Sequence, residues 1–247
     1  MLCKIKEKRC IGNDVYDMRI EFKDAAKQAK AGQFLHILCG DAAYLRRPIS
    51  ICEIKDDELR FIFRVKGVGT KALAEKNTGD MLDVLGPLGN GFDIENVNGK
   101  SVLIGGGIGI LPLLQVAKEL DNATVLLGFR TDAEIMLKDE FLKYTDNVLI
   151  ATDDGSYGFK GTTADLLLKV ISDGKPDRIY TCGPMPMMKA ISDIAIKNEI
   201  KTQVSLEERM GCGIGACMTC TCNVAGEKKR VCKDGPVFDA SEVDFNG

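Results

Sequence analysis

The chain has no tryptophan and a single histidine, His36. One imidazole leaves little room for chemistry built on histidine proton shuttles. With no metal-binding neighbour in sequence, His36 reads as a satisfied strand residue. No apolar run reaches the ~20 residues of a membrane-spanning helix, and the start, M-L-C-K-I-K, lacks the apolar stretch of a signal peptide. An excess of one charge is also missing: 33 Lys and Arg stand against 36 Asp and Glu, for a net charge of -3. Nothing electrostatic draws such a chain to nucleic acid or to an anionic membrane. Cysteine, by contrast, is plentiful, with ten in 247 residues. Many thiols without an export signal imply a reducing cytoplasm, where thiols bind metals rather than pair.

Half of those cysteines lie between Glu207 and Val237. Cys212, Cys217 and Cys220 have the spacing C-x4-C-x2-C, and Cys232 follows after a short polar turn, the plant-type ligand pattern of a [2Fe-2S] cluster. Four thiolates converging on two irons force the backbone to curl, and Gly211, Gly213 and Gly215 permit the positive φ angles of a curl. They also let backbone N–H groups approach the sulfurs. A zinc site would use closer cysteine pairs, and a disulfide framework would suit a small secreted domain. Cys222 leaves one alternative open: strand alternation sets it on the same face as Cys220, for which it could substitute. The tight x2 gap favours Cys220.

The first part of the chain reads as strands and turns. Residues 3–11, 15–22, 33–39 and 58–65 carry alternating or apolar runs punctuated by Gly and Asp, predicting an antiparallel barrel. Lys71–Glu75 reads as a helical turn, and Gly86-Pro-Leu-Gly-Asn-Gly-Phe as a loop, because glycine and proline cannot sustain a ladder. From Lys100 the rhythm changes. Apolar strands at 101–106, 123–130, 147–153 and 178–182 alternate with helical stretches, predicting a parallel sheet covered on both faces. The expected domains are 1–98, 99–203 and 204–247.

Several stretches suit anions. Arg46-Arg47-Pro48-Ile49-Ser50, read as the end of a barrel strand, combines a guanidinium fork, a hydroxyl and a proline-fixed backbone, although a solvated basic turn would read alike. Gly69 and Thr70 open a helix whose free N–H groups form an anion site. Together these favour a flavin nucleotide. Gly105-Gly106-Gly107-Ile108-Gly109 lies between strand and helix, where a pyrophosphate would rest. It departs from G-x-G-x-x-G, and a plain tight turn remains the alternative. Cys182-Gly183-Pro184 marks the carboxyl end of a sheet strand, the usual ligand crevice. Arg130 could touch an adenosine phosphate or face water, and Asp153-Asp154 reads as a loop pair.

The ordered motifs R-P-I-S, R-V-K-G-V-G-T, G-G-G-I-G-I-L-P and C-G-P-M resemble the ferredoxin-reductase family of flavoproteins. With G-C-G-I-G-A-C-x-x-C and V-C-K-D-G-P-V-F added, the chain is similar end to end to the electron-transfer subunits of type B dihydroorotate dehydrogenases. The resemblance implies an FAD-binding antiparallel β-barrel, a parallel-sheet nicotinamide-binding domain and a small C-terminal iron–sulfur domain. It implies Arg47, Pro48, Ile49 and Ser50 at the FAD phosphates and ring edge, Ile62, Phe63 and Arg64 lining the flavin, and Gly69 and Thr70 at the pyrophosphate. Gly106, Gly107, Gly109, Cys182, Gly183 and Pro184 would serve NAD(H), and Cys212, Cys217, Cys220 and Cys232 would ligate the cluster. An FMN-containing catalytic subunit, in a heterotetramer with two copies of each chain, would be the partner in pyrimidine synthesis. A related flavin–iron–sulfur subunit of a hydrogenase, a ferredoxin:NADP transhydrogenase or a glutamate synthase is the alternative, and a zinc-bearing nucleotide-binding module a more distant one.

Overall fold

A computed structural model describes residues 1–40, 43–95, 97 and 99–245. Asn96 and Asn98, at the first expected domain boundary, lie outside the described residues. Six strands close a barrel: β1 (Leu2–Gly12), β2 (Val15–Glu21), β3 (Phe34–Leu38), β4 (Arg47–Lys55), β5 (Glu58–Arg64) and β6 (Met81–Leu88), in the order β1-β2-β5-β4-β3-β6. A short helix, α1 (Lys23–Ala26), follows β2, and α2 (Val68–Glu75) follows β5. Alternation drives Met18, Ile20, Leu35, Ile37, Phe61 and Phe63 into the barrel, each such burial being worth about 1.5–3 kcal/mol in transfer terms.

Two local expectations change. Arg47–Ser50 begins a strand rather than ending one. The predicted loop at Gly86 is in part the end of β6. A bulge absorbs it: Phe34 pairs with Leu88 and His36 with Leu85, so Gly86 and Pro87 together oppose one residue and Pro87 owes the ladder no N–H.

The second unit is a sheet of seven strands. Its parallel part comprises β7 (Ser101–Gly106), β8 (Thr124–Phe129), β9 (Val148–Thr152), β10 (Phe159–Lys160), β11 (Arg178–Cys182) and β12 (Lys201–Ser205). Their order is β10-β9-β8-β7-β11-β12. Helices α3 (Leu111–Glu119) and α4 (Lys138–Phe141) pack on one face, with the barrel's Val15, Cys52 and Ile62. Helices α5 (Thr163–Asp173) and α6 (Met185–Lys197) cover the other. Val102 and Ile104 point to α5 and α6 while Leu103 points to α3, as period-two alternation requires of a strand buried on both faces.

The thiol-rich segment adds a hairpin, β13 (Thr221–Val224) and β14 (Glu227–Arg230), and then β15 (Val237–Asp239), which joins the edge of the sheet antiparallel to β12. Its core gathers Val204, Leu206, Val231, Cys220, Cys232 and Ala240 around Phe34 of β3. The outer face of β3 is therefore buried as well as its inner one. No helix among the described residues is long and apolar enough to cross a membrane.

Candidate functional site

The strand order reverses direction between β7 and β11, the switch point where open α/β sheets bind ligands. Both predicted nicotinamide segments lie there, with Cys182 in register with Gly105. The chains approach too closely for side chains. A Cβ on Gly109 would stand 2.5 Å from the Cys182 carbonyl oxygen and from Gly183 Cα, and one on Gly106 would stand 2.6 Å from Met187 Sδ and 3.0 Å from Pro184 Cδ. Gly107 takes a φ of 53°. The missing last glycine of the usual fingerprint is explained by the short 3-10 turn Gly107–Ile110 that precedes α3. Burial pushes the Cys182 thiol up to about 12. Arg130 is exposed beyond β8. Gly109→Ala is expected to destabilise the protein by about 1–3 kcal/mol, because rigid backbone faces the new methyl group; a denaturant midpoint checks this, and an unchanged midpoint would refute the close packing.

At the barrel, Arg46 spends its fork on the Asp83 carboxylate (2.6 Å) and carbonyl (2.8 Å). Arg47 instead lies over the start of α2, where a Cβ on Gly69 would meet its Nε at 2.7 Å. Pro48, Ile49 and Ser50 are half-buried on the same strand. Thr70 Oγ accepts N–H bonds from Lys66 (2.8 Å) and Gly67 (3.1 Å), so this hydroxyl caps α2. Arg64 Nε is buried with no hydrogen-bond partner among the described residues. Ile62 packs at the seam with the sheet domain, whereas Phe63 turns into the barrel and stacks on Tyr16 at 5.8 Å. Ile49 packs against the same barrel cluster as Phe63, on the side away from Ile62.

The thiol loop forms two pairs. Cys212 and Cys217 exchange backbone N–H bonds to each other's Sγ, at 3.4 Å in both directions, and Cys212 Sγ also accepts from Ile214 (3.5 Å) and Ala216 (3.2 Å). Cys220 Sγ accepts from Cys232 N–H (3.4 Å), and Cys232 Sγ from Gly215 N–H (3.1 Å). Thr219 Oγ donates to Cys217 Sγ (3.2 Å) and, with backbone N–H groups, pulls that thiol down to about 6. Burial pushes Cys232 up to about 12. Two pairs match two irons, each taking two thiolates. Among the described residues no group of three or more His, Cys, Asp or Glu is arranged to hold a single metal ion.

Gly213 (φ 72°) and Gly215 (φ 83°) make the curl, as expected. Gly211 does not share their left-handed conformation. It is needed for space, since a Cβ there would come 3.2 Å from Cys217 Sγ. Met218 at φ 61° supplies a further turn that composition did not signal. Cys222 lies in β13 opposite Lys229, and its Sγ faces the Lys229 carbonyl at 3.7 Å. Cys220 precedes that strand, so alternation does not carry through the turn and only Cys220 joins Cys232.

His36 is buried and its ring fully enclosed; among the described residues neither nitrogen makes a hydrogen bond of good geometry, although backbone groups of Arg46 and Cys212 face the ring. Burial, followed by the Arg46 charge, holds its pKa below the ordinary value.

A six-stranded barrel, a parallel sheet whose switch point adjoins it and an appended thiol loop define a ferredoxin-reductase-like oxidoreductase fold. The family profile for the iron–sulfur cluster binding domain of dihydroorotate dehydrogenase B matches residues 207–244, and that for the oxidoreductase NAD-binding domain matches residues 103–193. The chain is 42% identical to the dihydroorotate dehydrogenase B (NAD(+)) electron transfer subunit of Caldanaerobacter subterraneus subsp. tengcongensis, over 99% of this chain and 98% of that one. It is also 42% identical to the subunit of the same name from Geobacillus thermodenitrificans, over 97% and 96%. The chain belongs to the family of dihydroorotate dehydrogenase B electron transfer subunits. A solved NADH-dependent reduced ferredoxin-NADP oxidoreductase, studied for flavin-based electron bifurcation, superposes with a TM-score of 0.91 at 36% identity, over 100% of this chain and 91% of that one. The cytochrome b5 reductase domain of Ulva prolifera nitrate reductase, at 19% identity and TM-score 0.67 over 81% and 93%, shares the fold.

Proposed function

We propose that this chain passes electrons between NAD(H) and the FMN of a dihydroorotate-oxidising catalytic subunit, through FAD and a [2Fe-2S] cluster, in pyrimidine synthesis. The paired thiols of the C-terminal loop carry this reading, because they supply four ligands in the two-by-two arrangement such a cluster uses. Residues 1–98 form the FAD domain, 99–203 the nicotinamide domain and 204–247 the cluster domain.

The residues fit these groups. Arg47, Arg64, Ser50 and the N–H groups at Gly69 and Thr70 would hold the FAD phosphates and ring edge, the orphaned Arg64 Nε being a donor in want of an acceptor. Pro48, Ile49, Ile62 and Phe63 would shape the ring's surroundings. Gly106, Gly107 and Gly109, facing Cys182, Gly183 and Pro184, would admit the nicotinamide nucleotide's backbone approach. Cys212, Cys217, Cys220 and Cys232 would ligate the irons. When bound, FAD joins the two-electron chemistry of NAD(H) to the one-electron chemistry of the cluster. The chain needs no acid or base of its own for this, and its only imidazole lies buried away from the switch point. A heterotetramer with two copies of each subunit is the assembly we propose, in the cytoplasm, where ten free cysteines stay reduced.

Protein purified without air should contain about two irons and two acid-labile sulfides per chain, together with one FAD, and should copurify with its catalytic subunit. Colourless protein would sink the proposal. The close superposition on the ferredoxin-NADP oxidoreductase favours one second reading, a subunit of that kind of complex; a copurifying chain that oxidises no dihydroorotate would select it.

A further inference from the structure

We propose that Thr219 is a positioning residue whose hydroxyl donates a hydrogen bond to the Cys217 sulfur and thereby raises the reduction potential of the iron–sulfur group. The proposal rests on the cluster reading above. Thr219 Oγ stands 3.2 Å from Cys217 Sγ, its one hydrogen-bond partner among the described residues. A cysteine bound to iron is a thiolate, with no proton of its own to give. The direction of the bond is therefore fixed: the hydroxyl donates and the sulfur accepts. The local backbone supports it. Met218, between the two residues, takes a φ of 61° and turns the chain back on itself. Gly211 lies beside both side chains: a Cβ there would stand 3.2 Å from Cys217 Sγ and 3.5 Å from Thr219 Oγ.

The other donors to the four ligand sulfurs are backbone N–H groups: Ile214, Ala216 and Cys217 to Cys212, Cys212 to Cys217, Cys232 to Cys220, and Gly215 to Cys232. Any sequence that makes the same curl keeps those. With the thiols ionised, Thr219 supplies the one side-chain donor among the described residues that reaches a ligand sulfur. At this position the sequence can alter hydrogen bonding to the cluster without altering the loop. An accepted electron makes the sulfurs more negative, and a donor binds the more negative form more strongly. Removing the donor therefore costs the reduced state more than the oxidised one, which lowers the potential. Cys217 and Thr219 are both exposed, whereas Cys220 and Cys232 are buried. The hydroxyl thus acts on the side of the group that faces out of the chain, and its removal opens no part of the core.

A redox titration of the chain carrying FAD and cluster, followed by the EPR signal of the reduced cluster, tests this. Thr219→Val sets a methyl group where the hydroxyl was and leaves no room for a water to replace it. It should make cluster reduction about tenfold less favourable, a fall of about 59 mV for one electron, with the FAD potential and the iron content unmoved. Thr219→Ser keeps the hydroxyl and should stay at the wild-type potential. Thr219→Ala leaves space for a water to donate instead, and its loss should be smaller, about threefold. An unmoved potential in the valine variant overturns the proposal. So does a serine variant that falls as far as the valine one, since side-chain shape and not the hydroxyl would then set the value. Should the valine variant take up no iron, the alanine variant decides, and a wild-type potential there overturns the proposal. Absence of iron and sulfide from the wild type would remove the cluster reading itself, an outcome distinct from these.

Discussion

Cys220→Ser should leave the chain with almost no iron, whereas Cys222→Ser should keep about two irons per chain. The two residues are equivalent by spacing on a strand, and the fold separates them. Cys220 Sγ lies within 3.4 Å of the Cys232 N–H and is buried with it, while Cys222 Sγ is turned to the Lys229 carbonyl across the hairpin. Burial, with Glu208 and Cys220 adding to it, pushes the Cys222 thiol up to about 11, where it holds its proton. Losing a ligand removes binding free energy that also orders the loop. Electron delivery to the catalytic subunit should then fall at least about 100-fold, beyond the 10–100-fold that changes behind a ligand cost. Reduction of a small dye by NADH should survive in part, since that path ends at the flavin; Cys217→Ser should behave likewise. Iron and sulfide analysis with both assays checks this. Full iron in Cys220→Ser, or equal loss of FAD and iron, would refute the assignment.

The second large effect belongs to the joint between barrel and sheet domain. Arg60, 1% exposed, grips Asp17 with two bonds of 2.9 Å and reaches Glu140 of α4, with one bond of 2.8 Å and one shorter. Arg19 and Lys118 attend the adjoining Glu53 at 2.8 and 3.5 Å, and Gln115 of α3 accepts the Ile54 N–H at 2.7 Å. Arg60→Leu takes the buried guanidinium from Glu140 and leaves Asp17 only the half-exposed Arg9, and should cost about 3–5 kcal/mol. Denaturant unfolding measures it, and a loss under about 1 kcal/mol, typical of exposed pairs, would show that the joint carries little. The same joint gives a pH dependence. Burial raises the Glu53 carboxyl, but the bond from Arg19 and the neighbouring cations outweigh it, leaving a pKa below the ordinary 4.5. That contribution is fully present above pH 4.5 and is lost as the pH falls through the lower folded value.

Local patterns carried much of this in one dimension. Period-two alternation and glycine punctuation announced four of the six barrel strands but not β4 or β6, apolar strands alternating with helices announced the parallel sheet, and C-x4-C-x2-C announced the thiol loop, because each depends on neighbours a few residues apart. Three features were decided only by the tertiary structure. Asp17 lies on the polar side of an alternating strand, yet it is buried, because beside the half-exposed Arg9 its main partner Arg60 stands 43 residues away and, through Arg60, Glu140 a further 80 residues on. Alternation assigns residues to a face without saying what covers that face, so the second layer over β3, and with it the enclosure of His36, could not be read in advance. Cys220 and Cys222 are alike along the chain, and only the turn before β13 aims one at Cys232 and the other at Lys229. Spacing therefore determined which chemistry the loop could hold, while packing between distant segments determined which atoms face it.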